Sequence, residues 1–289
     1  MSDNPLANFY RNKEIYVKLP TQGKWYTNPP KLTDDGEIGV YPMTVKDEIL
    51  MSIPDSLYNS ESLFELFKSI APDIEDPYEI SMPDVDVILL ASRAATYDNK
   101  MRVDTDCKHC GEHNEYEVDL AMALSKILVK QESLEVELND GLTVSLKPNT
   151  LKSIAANRIK AVNTTKMLAS LGKDEVIPEE MKEMYMSSVE TTAAAQFAIL
   201  ADNIEYVQLP DGTKVSDLTH ILQWLQNSTK RNVDALIKAS GKINQNGIEN
   251  SYDFTCSNEE CGKTFKSSIE FNPAFFFNNN WPAAKQQNK

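Results

Sequence analysis

The sequence predicts an α+β protein, with a β-rich N-terminal part and two cysteine hairpins separated by a large helical insertion. Three observations predict it. Both cysteine pairs, in TDCKHCGEHNEYEV (Thr105 to Val118) and FTCSNEECGKTFKSSIEF (Phe254 to Phe271), lie between segments of strand character. The opening residues alternate short apolar runs with turn formers. From Asn149 onward, apolar residues recur at helical spacing.

Taken in order, residues 1–60 form the β-rich lead-in. EIYVKLP and IGVYPM read as strands, and the intervening GKWYTNPPKLTDDGE is dense in turn formers. Residues 61–148 carry two helices, the first cysteine pair and a hairpin. In SESLFELFKSIAP, Ser62 is placed to cap, Glu65 stands three residues later to close a capping box, and Pro72 ends the helix. DVDVILLASRAATY, after Pro83, reads as a more apolar helix whose face of Val87, Leu90, Ala91, Ala94 and Ala95 suits burial against another helix. Arg93 and Tyr97, four apart, either reach an acidic group on a neighbouring element or lie at the helix rim. LEVELNDGLTVSLKP is a hairpin turning at Asp140-Gly141. Residues 149–241 are the helical block, and residues 242–289 hold the second cysteine pair and an aromatic tail. Met181, Met184 and Met186 fall on a helix, where methionine serves as core or interface filler far more often than as a metal ligand.

Lys and Arg total 29 against 43 Asp and Glu, a formal charge of −14, which repels a phosphate backbone and argues against a nucleic-acid partner. The acidic residues are dispersed, as on a solvated surface. No window approaches 18 uninterrupted apolar residues and MSDNPLANFYRNK has no apolar signal segment, so no membrane association and a cytoplasmic site of maturation are expected.

All four cysteines of the chain lie in the two pairs, Cys107-x2-Cys110 and Cys256-x4-Cys261. Disulfides are rare in a cytoplasmic protein, and a redox C-x-x-C belongs at a helix start, where the dipole lowers a thiol pKa. Here each pair lies between strands. Two hairpin tips pointing four sulfurs inward give the all-thiolate tetrahedron, with bonds of roughly 2.3 Å, that Zn²⁺ prefers. Gly111 and Gly262 each follow a second cysteine, where positive φ would let backbone N–H groups turn toward the thiolates. The expected site is therefore a structural Zn²⁺ held by Cys107, Cys110, Cys256 and Cys261 in zinc-ribbon hairpins, closed to water and hence not catalytic. His109 and His113 are the substitutes should a cysteine not ligate. His220, in LTHILQWL, reads as a rim or core residue. No Gly-rich phosphate loop, G-x-S-x-G elbow or H-E-x-x-H is present, and no enzyme is expected.

The run LPTQGKWY, then VYPMTVKDEILMSIPDSLYN, a short helix, and DVDVILLASRAATYDNKMRVDTDCKHCGEHNEYEVDL resembles the T4-type bacteriophage baseplate hub subunit family. The likeness is strongest over about residues 15–120. It implies a structural or assembly protein of the contractile tail, without catalytic activity, whose partners are other phage tail and baseplate proteins. It also implies a place in the host cytoplasm during assembly and in the virion tail baseplate. FNPAFFFNNNWPAAKQQNK supplies large apolar side chains beside Asn and Pro, so Phe275, Phe276, Phe277 and Trp281 are expected to bind a partner or to pack back on the chain. The alternative functions are a zinc-ribbon adaptor for nucleic acid or transcription machinery, which the charge disfavours, and a thiol oxidoreductase, which the strand context disfavours.

Overall fold

A computed structural model describes residues 4–52, 60–129, 132–155, 179–245, 247–249 and 251–269. Helices and small antiparallel sheets share the chain, as an α+β protein requires. Strands β1 (Ile15–Lys18) and β2 (Glu37–Val40) pair antiparallel, Ile15 opposite Val40. Helices α1 (Val45–Ser52) and α2 (Ser60–Ile70) follow. The second starts earlier than its sequence suggests, so Ser62 lies buried inside the helix and Glu65 bonds Lys68 at 2.7 Å instead of closing a capping box. That pair is half exposed and adds little, whereas Phe64, Leu66, Phe67 and Ile70 fix the helix by burying one face.

Helix α3 (Met82–Thr96) is the centre of the first core. Ser81 precedes it and Pro83 occupies its first turn, where the missing N–H costs nothing. Val87, Leu90, Ala91 and Ala94 of the expected face are buried, and Val85, Ile88 and Leu89 are buried as well. A helix apolar on nearly all sides must be enclosed, and α3 packs against β1, β2 and α4 (Leu120–Leu124). At its end the Arg93 guanidinium lies over the Tyr97 ring at 5.1 Å, and the Tyr97 hydroxyl donates to Glu48 of α1 at 2.8 Å. The acidic neighbour expected for this pair is thus Glu48, and burial with that carboxylate pushes the Tyr97 phenol up to about 12.

After α3 the chain forms β3 (Lys100–Asp106) and β4 (His113–Asp119), which flank the first cysteine pair and run from Lys100 opposite Asp119 to Asp106 opposite His113. Hairpin β5 (Leu134–Glu137) and β6 (Thr143–Leu146) turns at Asp140-Gly141. The long α5 (Glu179–Asp202) leads into β7 (Ile204–Gln208) and β8 (Lys214–Val215), which join β5 and β6 in one four-stranded sheet. These two strands lie in the stretch the helical spacing had claimed. Helices α6 (Leu218–Asn227) and α7 (Lys230–Ile243) close it, and Leu200, Ile221, Leu225, Leu236 and Ile243 pack with Val144 and Leu146 in a second core. Strands β9 (Ser251–Thr255) and β10 (Thr264–Ser268) bring the chain back, and Phe254, Phe265 and Ile269 belong to the first core. Met181, Met184 and Met186 fall on α5 with side chains outside the described set, and Phe275, Phe276, Phe277 and Trp281 lie outside the described residues.

Candidate metal centre

The two cysteine hairpins are built alike. In the first, the Cys107 N–H donates to the Glu112 carbonyl at 2.8 Å, and in the second the Cys256 N–H donates to the Lys263 carbonyl at 3.1 Å. Each bond joins the leading cysteine to the residue after the glycine. Gly111 and Gly262 have φ of 77° and 51°, the left-handed conformation expected there, in which a Cβ would be strained. Their N–H groups do not turn to the sulfurs, however. Gly111 donates to the Cys107 carbonyl and Gly262 to the Asn258 carbonyl, both at 2.9 Å, which closes the turns. Other backbone donors serve the sulfurs, among them His109, whose N–H lies 3.4 Å from Cys107 Sγ.

The hairpins meet face to face. Tyr116 of β4 stacks on Phe254 with centroids 4.4 Å apart, and its hydroxyl donates to the Thr255 carbonyl at 2.8 Å. Thr105 and Ser267 share a hydrogen bond of 3.0 Å. The four sulfurs of Cys107, Cys110, Cys256 and Cys261 then lie within 4.8 Å of one another, although Cys110 and Cys256 are 146 residues apart. Cys107 Sγ is 3.9 Å from Cys261 Sγ, and Cys110 Sγ is 3.6 Å from Cys256 Sγ. A tetrahedron of four metal–sulfur bonds near 2.3 Å has edges of about 3.8 Å, so one ion fits these donors.

Electrostatics make the same point. Burial opposes ionisation of Cys107, but the N–H groups of His109 and Cys110 and the neighbouring thiols outweigh it and hold it at about 6. The Glu112 N–H favours a Cys110 thiolate, but burial and the three other sulfurs push that thiol up to about 12. Four thiolates this close repel one another, and a divalent cation removes the conflict.

Among the described residues this is the one set of three or more His, Cys, Asp or Glu side chains arranged to hold a metal ion. His113 Nδ1 instead meets Asp106 at 2.9 Å, a partner that raises its pKa, and His109 is exposed. His220 lies exposed in the first turn of α6, 3.8 Å from Asp217. Sequence reasoning missed Asn114, buried between the hairpins and bonded to both. One signal was available: in HNEYEV, Asn114 alternates with Tyr116 and Val118, an amide on the inward face of a strand.

Two cysteine hairpins joined across a long α+β segment, with four sulfurs gathered where they meet, define an α+β protein with one candidate metal centre. Residues 12–277 match the family described as T4 bacteriophage base plate protein, and the chain belongs to that family. No curated protein and no solved structure matches it.

Proposed function

We propose that the protein is a non-enzymatic structural or assembly subunit of the baseplate hub of a contractile phage tail, held by one structural Zn²⁺ on Cys107, Cys110, Cys256 and Cys261. The observation that supports it is the convergence of all four sulfurs within 4.8 Å in a chain of the base plate family. Four thiolates leave no open position for water, so the ion fixes the two hairpins and does not activate a substrate. The sulfur contacts of 3.9 and 3.6 Å both cross between hairpins, an arrangement suited to shared ligation rather than to a redox pair within one C-x-x-C. The partners are other tail and baseplate proteins, met in the host cytoplasm during assembly and retained in the tail. Phe275, Phe276, Phe277 and Trp281 supply one contact, because several aromatic anchors on an extended arm suit a partner's groove.

Elemental analysis of the purified chain should give one zinc per molecule, lost in Cys107→Ser and in Cys261→Ser together with stability, since structural zinc binding is coupled to folding. A folded metal-free wild type, or two disulfides by mass, would overturn the site. Truncation after Pro273 should preserve the zinc and abolish tail assembly in a complementation assay. Tails that assemble normally, or a truncated chain that unfolds, would remove the aromatic arm from the interface.

A further inference from the structure

We propose that Asn114 is the positioning residue of the metal site, a side-chain clamp that sets Cys107 and Cys256 in register before any ion binds. The inference rests on the zinc reading above and deepens it.

Asn114 is 2% exposed, and a buried amide must satisfy two N–H donors and one oxygen. Its Nδ2 donates to the Glu112 carbonyl at 2.7 Å and approaches Cys256 Sγ at 3.9 Å. Its Oδ1 accepts from the Ser257 N–H and from the Ser257 hydroxyl, both at 2.6 Å, across 143 residues of sequence. The Glu112 carbonyl is also the acceptor for the Cys107 N–H. One side chain is therefore tied at one end to the group that closes the first turn and at the other to the residue after Cys256. Rotating either hairpin against the other would break at least two of its bonds. The donor at 3.9 Å from Cys256 Sγ also limits where that sulfur can sit.

A site ordered during folding does not spend ion-binding energy on ordering, so its affinity is higher than that of the same ligands on free loops. Removing the clamp should lower zinc affinity by about 10- to 100-fold, the range typical of groups that orient metal ligands. Ser257→Ala, which keeps the backbone N–H, should lose less than about tenfold.

The test is a zinc competition titration on the full chain, wild type against Asn114→Ala and Asn114→Asp, read with the absorption spectrum of the Co²⁺-loaded proteins. Aspartate keeps acceptors for Ser257 but loses the donors to the Glu112 carbonyl and to Cys256 Sγ, so it unties the first hairpin while leaving the second bonded. The expected result is weaker zinc binding in both variants and a shifted sulfur-to-cobalt band in Asn114→Asp. Wild-type affinity with an unchanged cobalt spectrum in Asn114→Asp would overturn the proposal while leaving the zinc site standing. A wild type that binds neither ion would overturn the zinc reading itself, and this inference with it. Should the variants not fold, hydrogen exchange of the metal-free wild type decides. A protected Ser257 amide supports a clamp formed before the metal, and a freely exchanging one refutes it.

Discussion

Asp84→Asn isolates the cost of one buried charge. Asp84 stands in the first turn of α3 with no exposed surface. Its Oδ1 accepts the Thr21 N–H at 3.0 Å, and its Oδ2 accepts the Thr21 hydroxyl at 2.5 Å and the Tyr26 hydroxyl at 2.9 Å. These bonds hold both ends of a turn in which Gln22 and Trp25 adopt positive φ, a conformation that costs non-glycine residues roughly 1 kcal/mol or more each. Burial pushes the Asp84 carboxyl from 3.8 up to about 6, with Thr21 and Tyr26 pulling the other way. Burial and the Asp84 charge likewise raise the Tyr26 phenol. Between about pH 4 and 6 the folded chain therefore keeps a proton that the unfolded chain has released. The stability carried by protonated Asp84 is fully present below about pH 4 and is lost as pH rises through 6. The span from 3.8 to about 6 corresponds to about 3 kcal/mol. Asparagine keeps the shape, its oxygen accepts from the Thr21 N–H, and the Thr21 and Tyr26 hydroxyls can turn to accept from its NH₂. It cannot ionise. Stability by urea denaturation of both proteins from pH 4 to 7, with equal metal loading, should show the variant gaining on the wild type by about 2 kcal/mol of that span, since other titrating groups cancel in the difference. A difference independent of pH over that range would refute the reasoning.

Gly247→Ala tests the junction of the returning chain with α3. A Cβ there would meet Pro20 Cγ at 2.2 Å and the Pro83 carbonyl at 2.4 Å, and a backbone oxygen cannot swing aside, so a loss of about 2 kcal/mol or more is expected in denaturant unfolding. A loss within about 0.5 kcal/mol would show that the junction yields. Phe67→Ala empties a fully buried position of the first core, and a destabilisation of about 3 to 5 kcal/mol should follow in the same assay. Less than about 1 kcal/mol would place Phe67 at a site able to collapse.

The four-cysteine cluster was largely legible because its pattern is local. The cysteine spacings, the glycines and the flanking strand patterns each occupy a few consecutive residues, and the structure keeps all three. The capping box was not kept: Ser62 and Glu65 have the right spacing, but burial of Phe64, Phe67 and their neighbours decides where α2 begins, and propensity yields to packing. Strand β7 had a signal in IEYVQ followed by Pro-Asp-Gly, overshadowed by the long helical run before it. The two-residue β8 has no pattern of its own, and it is a strand because β7 offers it hydrogen bonds.

By itself the sequence determined which atoms could meet a metal, because thiolate chemistry and turn geometry depend on neighbours along the chain. That Cys107 and Cys110 meet Cys256 and Cys261 was also expected, since four thiols in two turns suit one tetrahedral ion, whereas only the tertiary structure decided that β5 and β6 share a sheet with β7 and β8 and that Asn114 reads Ser257 from the opposite hairpin. The physical reason is distance: a hydrogen bond or a shared ion acts over about 3 to 4 Å of space, and no periodicity along the chain encodes which remote segment folding will bring that close.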